Sequence, residues 1–207
     1  MPVYKLHYFT ARGQAEPLRY IFHYAGIPFE DIQVGLEKMA EVRAESPIGS
    51  APYLEVDGEK IGNTIAIAKY LARETGLTGG SSLDQAKVDM YVGGMFDLVP
   101  HYLPIFKAKR TGNLEEAKQM WEQIKSGEVT SLLNRYEGFL KASGTGYLVG
   151  SKLTLADIVL AEFMERFQSL DDPNLLENHP LLAAHCKKIH EIPAIKKYVE
   201  NRPKFQF

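Results

Sequence analysis

The chain has 207 residues, of which 45% are hydrophobic and 24% charged, a composition typical of water-soluble globular proteins. Its 24 basic and 26 acidic residues give a net charge of −2, which excludes a strongly basic surface for nucleic acid or an anionic membrane. The apolar runs are too short for a membrane span. A single cysteine, Cys186, cannot form an internal disulfide, and the first residues lack the pattern of a signal peptide. We therefore expect a cytoplasmic protein with no nucleic-acid or membrane partner.

The first 77 residues alternate between short β-prone runs and helical patterns. In chain order they predict a strand over 3–9, a helix over 14–25, a strand over 28–34, a weak helix over 36–44, a strand over 52–56, a short strand over 60–61 and a helix over 64–75. Asp57 and Gly58, between two extended runs, are a strong hairpin signal. The resulting β-α-β-α-β-β-α order is that of a thioredoxin-like α/β domain.

The rest of the chain has helical periodicity. Residues 78–81 form a linker of Gly, Ser and Thr without an apolar period. The predicted helices cover 82–110 with kinks at Pro100 and Pro104, then 113–144, then a segment from Thr154, and two more segments from about 181 and 194. We therefore expect a thioredoxin-like domain over 1–77 and an all-helical domain over 82–207.

Two of the predicted helix starts have the spacing of a capping box, in which two side chains satisfy the first backbone N–H groups of a helix. Asn113 is followed three residues later by Glu116, and Thr154 is followed three residues later by Asp157. The sequence therefore predicts a capped helix start at each place.

Several common catalytic and metal-binding patterns do not occur in this sequence. The six histidines have no zinc-binding spacing, and His185 and His190 lie five residues apart, on different faces of a helix. Walker, dinucleotide-binding and serine-nucleophile motifs are missing. Cys186 lies in a helical run, where a cysteine usually packs as a small apolar side chain. We expect neither a metal ion nor a cysteine nucleophile.

Three weaker signals fall at one edge of the predicted sheet. Tyr8 ends the first strand and precedes a polar turn, although a tyrosine at such a place is usually a packing residue. Pro52 lies in a tight turn, where a cis peptide bond can be retained. Asn63 and Thr64 open a helix whose backbone N–H groups and hydroxyl could bind a carboxylate, the simpler interpretation being a plain N-cap. A thioredoxin-like fold brings all three segments to its functional edge.

Four segments together carry a resemblance to a known family. They are Tyr8-Phe9-x-x-Arg12-Gly13, Ala51-Pro52-Tyr53-Leu54-Glu55-Val56-Asp57-Gly58, Asn63-Thr64-Ile65-Ala66-Ile67-Ala68-Lys69-Tyr70-Leu71 and Thr154-Leu155-Ala156-Asp157. The sequence resembles the cytosolic glutathione S-transferases, and its similarity to their sigma class, which includes glutathione-dependent prostaglandin D synthase and lens crystallins, extends along the whole chain. The resemblance implies glutathione as co-substrate, no metal, a small hydrophobic electrophile, a role in detoxification and a homodimer.

The resemblance also implies roles for individual residues. Tyr8 matches the catalytic tyrosine of the family. The residues that match its glutathione site are Tyr8, Met39, Arg43, Ser50, Ala51, Pro52, Asn63, Thr64 and Asp97. Asp97 would reach the glutathione of the neighbouring subunit, and Pro52 matches the cis-proline of the family. The residues that match the pocket for the hydrophobic substrate are Phe9, Gly13, Gln14, Phe96 and Val99.

Six positions depart from the family pattern, among them Gly93 and Phe96, which replace two acidic residues of the prostaglandin synthase. Met39 replaces the usual tryptophan and so removes an indole N–H donor. Ser50 replaces a longer glutamine or lysine, and Asn63 is one methylene shorter than the usual glutamine. Gln14 stands where the prostaglandin synthase has arginine. These changes predict weaker glutathione binding and argue against prostaglandin isomerisation. Two alternatives stay open, which are a low-activity binding or structural protein of the crystallin or ligandin kind and a prostaglandin isomerase.

Overall fold

The computed structural model describes residues 2–170 and 172–204, which fall into two compact units. The first unit holds the described residues up to Thr78 together with those from His190 onward, and the second holds Gly79–Ile189. Within the described residues, no helix is both long enough and apolar enough to span a lipid bilayer.

The first unit is built on a four-stranded mixed sheet. Its N-terminal elements are β1 (Tyr4–Phe9), α1 (Glu16–Ala25), β2 (Glu30–Val34), α2 (Met39–Glu45), β3 (Tyr53–Val56), β4 (Glu59–Gly62) and α3 (Thr64–Glu74). The strand order is β2-β1-β3-β4, with β1 parallel to β2 and antiparallel to β3. This confirms the predicted thioredoxin-like order, and the two-residue turn at Asp57 and Gly58, where φ is 50° and 92°, joins β3 to β4 as the hairpin signal predicts.

The sheet is buried because its central strands are apolar. Leu6 of β1 pairs in register with Leu54 of β3, and both side chains are fully buried. Leu18 and Ile21 of α1 and Ile67 of α3 are also fully buried and complete this core. The core fixes the position of β1, and Tyr8 near the end of β1 is placed by it.

The remaining elements are helices. They are α4 (Ser82–Phe96), α5 (Val99–Arg110), α6 (Leu114–Ile124), α7 (Thr130–Ser143), α8 (Leu155–Gln168), α9 (Pro180–His190) and α10 (Pro193–Asn201). Together with the first unit, they confirm the predicted class of a thioredoxin-like part followed by an all-helical part.

Two long predicted helices are each divided in the structure. The helix predicted over 82–110 is interrupted at Asp97 and Leu98, so that Pro100 lies in the first turn of α5, where its missing N–H costs no helical hydrogen bond. The helix predicted over 113–144 is divided by a π-helical turn over Lys125–Val129. Apolar periodicity continues through both places, so it does not reveal either interruption.

The two predicted capping boxes have different outcomes. At α8 the Asp157 carboxylate accepts hydrogen bonds from the N–H and the hydroxyl of Thr154, both at 2.8 Å, as predicted. It also accepts from the Leu148 N–H at 2.8 Å and lies 3.0 Å from His185 Nε2. At α6 the prediction is wrong, because Asn113 caps no backbone N–H and its exposed side-chain amide donates to Glu116 instead.

The division into domains over 1–77 and 82–207 stays a prediction, and the observed units depart from it at the C-terminal end. Residues from His190 onward belong to the first unit. The reason is local, because Tyr198 of α10 and Arg202 just beyond it hydrogen-bond Glu16 of α1.

Cys186 lies in α9 with its side chain buried. Burial raises the pKa of its thiol to about 12, since the charged thiolate is disfavoured away from water. The structure therefore agrees with a packed cysteine and gives no support for a nucleophile.

We predict that native Cys186 resists a thiol-specific disulfide reagent at pH 8. An ordinary cysteine, with a pKa near 8.5, is roughly one-quarter thiolate at that pH, whereas the fraction for Cys186 is about 10⁻⁴. Labelling should be complete within minutes in guanidinium chloride and at least ~100-fold slower in buffer. Because the folded-state pKa is raised, this group also withdraws stability as pH rises above about 8.5. Rapid labelling of the native protein would contradict the assignment.

Candidate functional site

Tyr8 occupies the penultimate position of β1, where the strand meets the turn that leads to α1. Its side chain is 8% exposed and its ring lies 4.8 Å from the Phe9 ring between centroids. The phenol oxygen accepts a hydrogen bond from the backbone N–H of Gln14 at 3.1 Å. A phenol keeps its proton at neutral pH, and accepting a hydrogen bond makes its own O–H a stronger donor. The chemistry available at this point is therefore donation of a hydrogen bond to an anion.

The turn before α1 is shaped to accommodate the Tyr8 ring. Gly13 has a φ of +45°, a conformation that side-chain-bearing residues rarely adopt. A Cβ atom placed on Gly13 would lie 2.8 Å from Tyr8 Cε1, closer than nonbonded carbon atoms approach. Gly13 is therefore required both by its backbone conformation and by its contact with the ring.

Arg19 of α1 holds the same turn from beneath. Its Nη1 donates to the carbonyl of Ala11 at 2.8 Å, and its Nε donates to Asp31 Oδ2 at 2.9 Å. Burial alone would lower the pKa of this guanidinium, which is fully buried. The Asp31 and Glu16 carboxylates raise that pKa above its usual value, so the group stays charged. Sequence reasoning missed Arg19, for which the only local signal is Glu16 three residues earlier.

Asn63 and Thr64 form the start of α3, as predicted, and Asn63 is a plain N-cap of that helix. Asn63 Oδ1 accepts hydrogen bonds from the N–H groups of Ile65 and Ala66, at 3.0 and 3.1 Å, so it is the N-cap of the helix. The hydroxyl of Thr64, which is buried, donates to Gln14 Oε1 at 3.3 Å. Gln14 therefore links Tyr8, through its backbone, to Thr64, through its side chain.

The other expected glutathione contacts of the first unit lie on two segments. Met39, which is half-buried, opens α2, and the exposed Arg43 lies in the last turn of that helix. Ser50 and Ala51 are half-buried and precede β3. The Ala51–Pro52 peptide bond is cis, as predicted.

The expected residues of the second unit lie at the junction of α4 and α5. Phe96 ends α4, with its ring 5.2 Å from the Phe163 ring in an edge-to-face arrangement. Asp97 follows and is exposed, and Val99, which is buried, begins α5. Within residues 2–170 and 172–204, no group of three or more His, Cys, Asp or Glu side chains is placed to hold a metal ion.

We predict that Gly13→Ala costs about 1–3 kcal/mol more in unfolding free energy than Gly26→Ala. Both glycines have positive φ, so both substitutions strain the backbone, but a Cβ on Gly26 meets open space whereas one on Gly13 meets the Tyr8 ring. Chemical denaturation of the two variants measures the difference. Equal losses would show that the ring moves aside without cost.

Comparisons with known proteins identify the family of the chain. The chain matches the family model for the N-terminal domain of glutathione S-transferases over residues 4–73, and the model for their C-terminal domain over residues 101–202. It is 34% identical to glutathione S-transferase 1 of Ascaris suum over 204 residues, which cover 99% of this chain and 98% of that protein. It is also 34% identical to the hematopoietic prostaglandin D synthase of Homo sapiens, over 98% of each chain.

A solved structure gives the same result. Na-GST-3 of the hookworm Necator americanus, described as a monomeric glutathione S-transferase, matches with a TM-score of 0.91 at 33% identity, covering 99% of this chain and 100% of that one. The two family models span well over half of the sequence and include the strand that carries Tyr8. The chain belongs to the glutathione S-transferase family.

Proposed function

We propose that this protein is a glutathione transferase that joins the thiolate of glutathione to small hydrophobic electrophiles. The observation that carries the proposal is the Tyr8 phenol, held at the end of β1 by the Gln14 N–H at 3.1 Å. A thiol with a pKa near 8.5 is only about 3% thiolate at pH 7. A hydrogen bond from a phenol to the sulfur anion contributes roughly 1.5–3 kcal/mol, which lowers the thiol pKa by about one to two units. At pH 7 the thiolate fraction then rises from about 3% to roughly one-quarter to three-quarters.

The reaction that follows is a nucleophilic attack by sulfur on carbon. The sulfur electron pair forms the new carbon–sulfur bond, and a halide or similar group leaves with the pair of the bond that breaks. Phe9, Gly13 and Gln14 of the first unit are the proposed contacts of the electrophile there. Phe96 and Val99 are the proposed contacts contributed by the second unit.

The proposed glutathione site uses the start of α3. Because Asn63 Oδ1 already accepts from the N–H groups of Ile65 and Ala66, the γ-glutamyl carboxylate would meet the Thr64 hydroxyl and not those two N–H groups. Thr64 would exchange its 3.3 Å hydrogen bond with Gln14 for one to the carboxylate. The short Asn63 side chain thus supports the expectation of weakened binding.

The other residues of the proposed glutathione site are those that match the family's glutathione-binding positions. We propose that the backbone of Ala51, which precedes Pro52, pairs with the cysteinyl part of glutathione. Arg43 supplies positive charge for the glycine carboxylate, and Met39 and Ser50 line the same end. Membership of the sigma class, a detoxification role and a cytoplasmic location are part of this proposal.

We predict that Tyr8→Phe lowers kcat by roughly 10- to 150-fold, the equivalent of losing about 1.5–3 kcal/mol of thiolate stabilisation. Affinity for glutathione should stay within about twofold, because the other proposed contacts of glutathione are unchanged. Steady-state conjugation of a chloronitrobenzene with each protein measures the effect, and Tyr24→Phe on α1 is the matched control. If the kcat of the Tyr8→Phe variant is within twofold of the parental kcat, Tyr8 has no role in the mechanism.

We also propose a homodimer, in which Asp97 reaches the glutathione of the neighbouring subunit. On α4, Leu83 and Met90 are 64% and 56% exposed and lie seven residues apart, on one face of the helix. Two large apolar side chains on one exposed helix face favour a protein interface. Since the Necator americanus relative is described as monomeric, family membership does not decide the assembly.

We predict a dimeric mass in sedimentation at micromolar concentration. Met90→Glu should shift it toward the monomer, because a charge buried in an apolar interface is costly. Leu114→Glu, at a residue that is 62% exposed on α6, is the matched control and should leave the mass unchanged. A monomeric parent protein would contradict both the assembly and the role of Asp97.

A second candidate function is prostaglandin isomerisation, which is favoured by the relative named hematopoietic prostaglandin D synthase. Gln14, in place of arginine, is the change that argues against it. A binding or structural protein of the same fold is the third possibility. Retention on immobilised glutathione, followed by turnover with a chloronitrobenzene and with a prostaglandin endoperoxide, distinguishes the three.

We predict that Met39→Trp tightens glutathione binding severalfold, up to about tenfold, by restoring a hydrogen bond to a carboxylate worth about 1.5 kcal/mol. The change in kcat should be small, because contacts far from the sulfur act equally in ground and transition states. Calorimetric titration of both proteins is the measurement. If the tryptophan variant binds no better, Arg43 or water already satisfies the glycine carboxylate.

A further inference from the structure

A buried network of charged side chains lies beneath the turn that carries Gly13 and Gln14. Glu16 and Arg19, both on α1, are fully buried, and Arg19 Nη1 donates to Glu16 Oε2 at 3.0 Å. The same Nη1 donates to the carbonyl of Ala11 at 2.8 Å. One guanidinium therefore joins the turn to the Glu16 carboxylate.

The C-terminal helix completes this network. The Tyr198 hydroxyl lies 3.1 Å from both carboxylate oxygens of Glu16, and Arg202 Nη1 donates to Glu16 Oε1 at 2.8 Å. Arg202 also donates to the Tyr20 hydroxyl at 3.2 Å. Burial and the nearby Glu16 charge raise the pKa of Tyr198, so its hydroxyl stays a donor at all ordinary pH values. Two side chains from beyond residue 190 thus hold a carboxylate at the start of α1.

Because most of this network is buried, each of its charged groups needs an oppositely charged partner. The network contains two carboxylates, those of Glu16 and Asp31, and two guanidinium groups, those of Arg19 and Arg202, so its formal charges balance. A buried carboxylate that loses a charged partner pays a desolvation cost that the remaining contacts do not cover. Loss of the contacts from α10 would therefore change the position of Glu16 and Arg19.

A short chain of contacts connects this network to the proposed catalytic group. Arg19 holds the carbonyl of Ala11 at 2.8 Å, Gly13 lies against the Tyr8 ring, and the Gln14 N–H donates to the Tyr8 oxygen at 3.1 Å. These contacts lie within four consecutive residues of one turn, so a shift of that turn changes the hydrogen bond to Tyr8. Since that bond polarises the phenol, the shift also alters what Tyr8 donates to a sulfur anion.

We propose that Tyr198 and Arg202 are positioning residues, forming a C-terminal latch that acts through Glu16 and Arg19 to hold the turn over residues 11–14 against Tyr8. The structural part of the inference stands on the contacts alone. The catalytic part rests on the proposed function, in which Tyr8 activates glutathione.

The first test uses amide hydrogen exchange, and its result does not depend on enzymatic activity. In Tyr198→Phe and Arg202→Met, exchange of the Gln14 N–H should become roughly tenfold faster, because local opening of the turn becomes easier. The matched controls are Tyr24→Phe on α1 and Lys197→Met on α10. They remove a phenol hydroxyl and a positive charge outside the network and should leave exchange unchanged. If Gln14 exchanges at the parental rate in both latch variants while both remain folded, the latch does not hold the turn.

The second test is the pH dependence of conjugation. In the latch variants kcat/KM should fall by roughly three- to tenfold at pH 6 and recover by pH 9, the behaviour of an apparent thiol pKa raised by about half to one unit. A merely structural role would lower Tm and reduce activity by the same factor at every pH, which would overturn the positioning role. In a Tyr8→Phe background, the latch substitutions should have no further effect on the pH profile.

Failure of the two proposals is distinguishable. A parent protein without glutathione conjugation refutes the proposed function and leaves the exchange test of the latch intact. If the parent is active and the latch variants have the same pH profile as the parent, the catalytic part of the latch is refuted. The proposed function then still stands.

Discussion

The hydrogen bond from the Gln14 N–H to the Tyr8 oxygen is the interaction on which the site depends. It exists because the Tyr8 phenol oxygen lies 3.1 Å from the Gln14 N in the turn before α1, an approach that requires a residue without a side chain at Gly13. The turn over residues 11–14 depends on Arg19. This side chain is fully buried, and Asp31 and Glu16 keep it charged. A single neutral hydrogen bond thus relies on several buried charges.

Both units contain hydrogen-bonded charged side chains inside an apolar interior, and α8 is the example in the second unit. Nearly every residue of α8 is buried, including Glu162 and Arg166, which pair with each other one turn apart. Arg166 also donates to the Tyr102 hydroxyl at 2.6 Å. Buried ion pairs of this kind add little net stability over an apolar pair, but breaking one by removing a partner is costly.

Local patterns predicted much of this structure because the physics that decides them is local. The Asp57-Gly58 turn and the Thr154 cap follow from backbone conformation and from hydrogen bonds within a few residues. Asn113 has the same spacing as Thr154 but donates to Glu116 on an exposed surface, where water competes for the backbone N–H groups. Spacing alone therefore cannot distinguish a buried cap from an exposed one.

The candidate site divides in the same way. Tyr8 and Thr64 could be selected from the sequence, since each stands at a recognisable strand end or helix start. The contact of Tyr198 with Glu16 joins residues 182 positions apart, and no local pattern encodes it. Long-range contacts between buried charges are decided only when the whole unit is assembled.

The place of α10 in the first unit has a consequence for biosynthesis. More than a hundred residues must still be made after Thr78 before Arg202 leaves the ribosome, which takes roughly 6 to 25 s at about 5–20 residues per second. During that interval Glu16 lacks its contacts with Tyr198 and Arg202, and the first unit exists without its last helix. The N-terminal part is thus synthesised first and completed last, so a fragment ending at Thr78 lacks a structural element of its own unit.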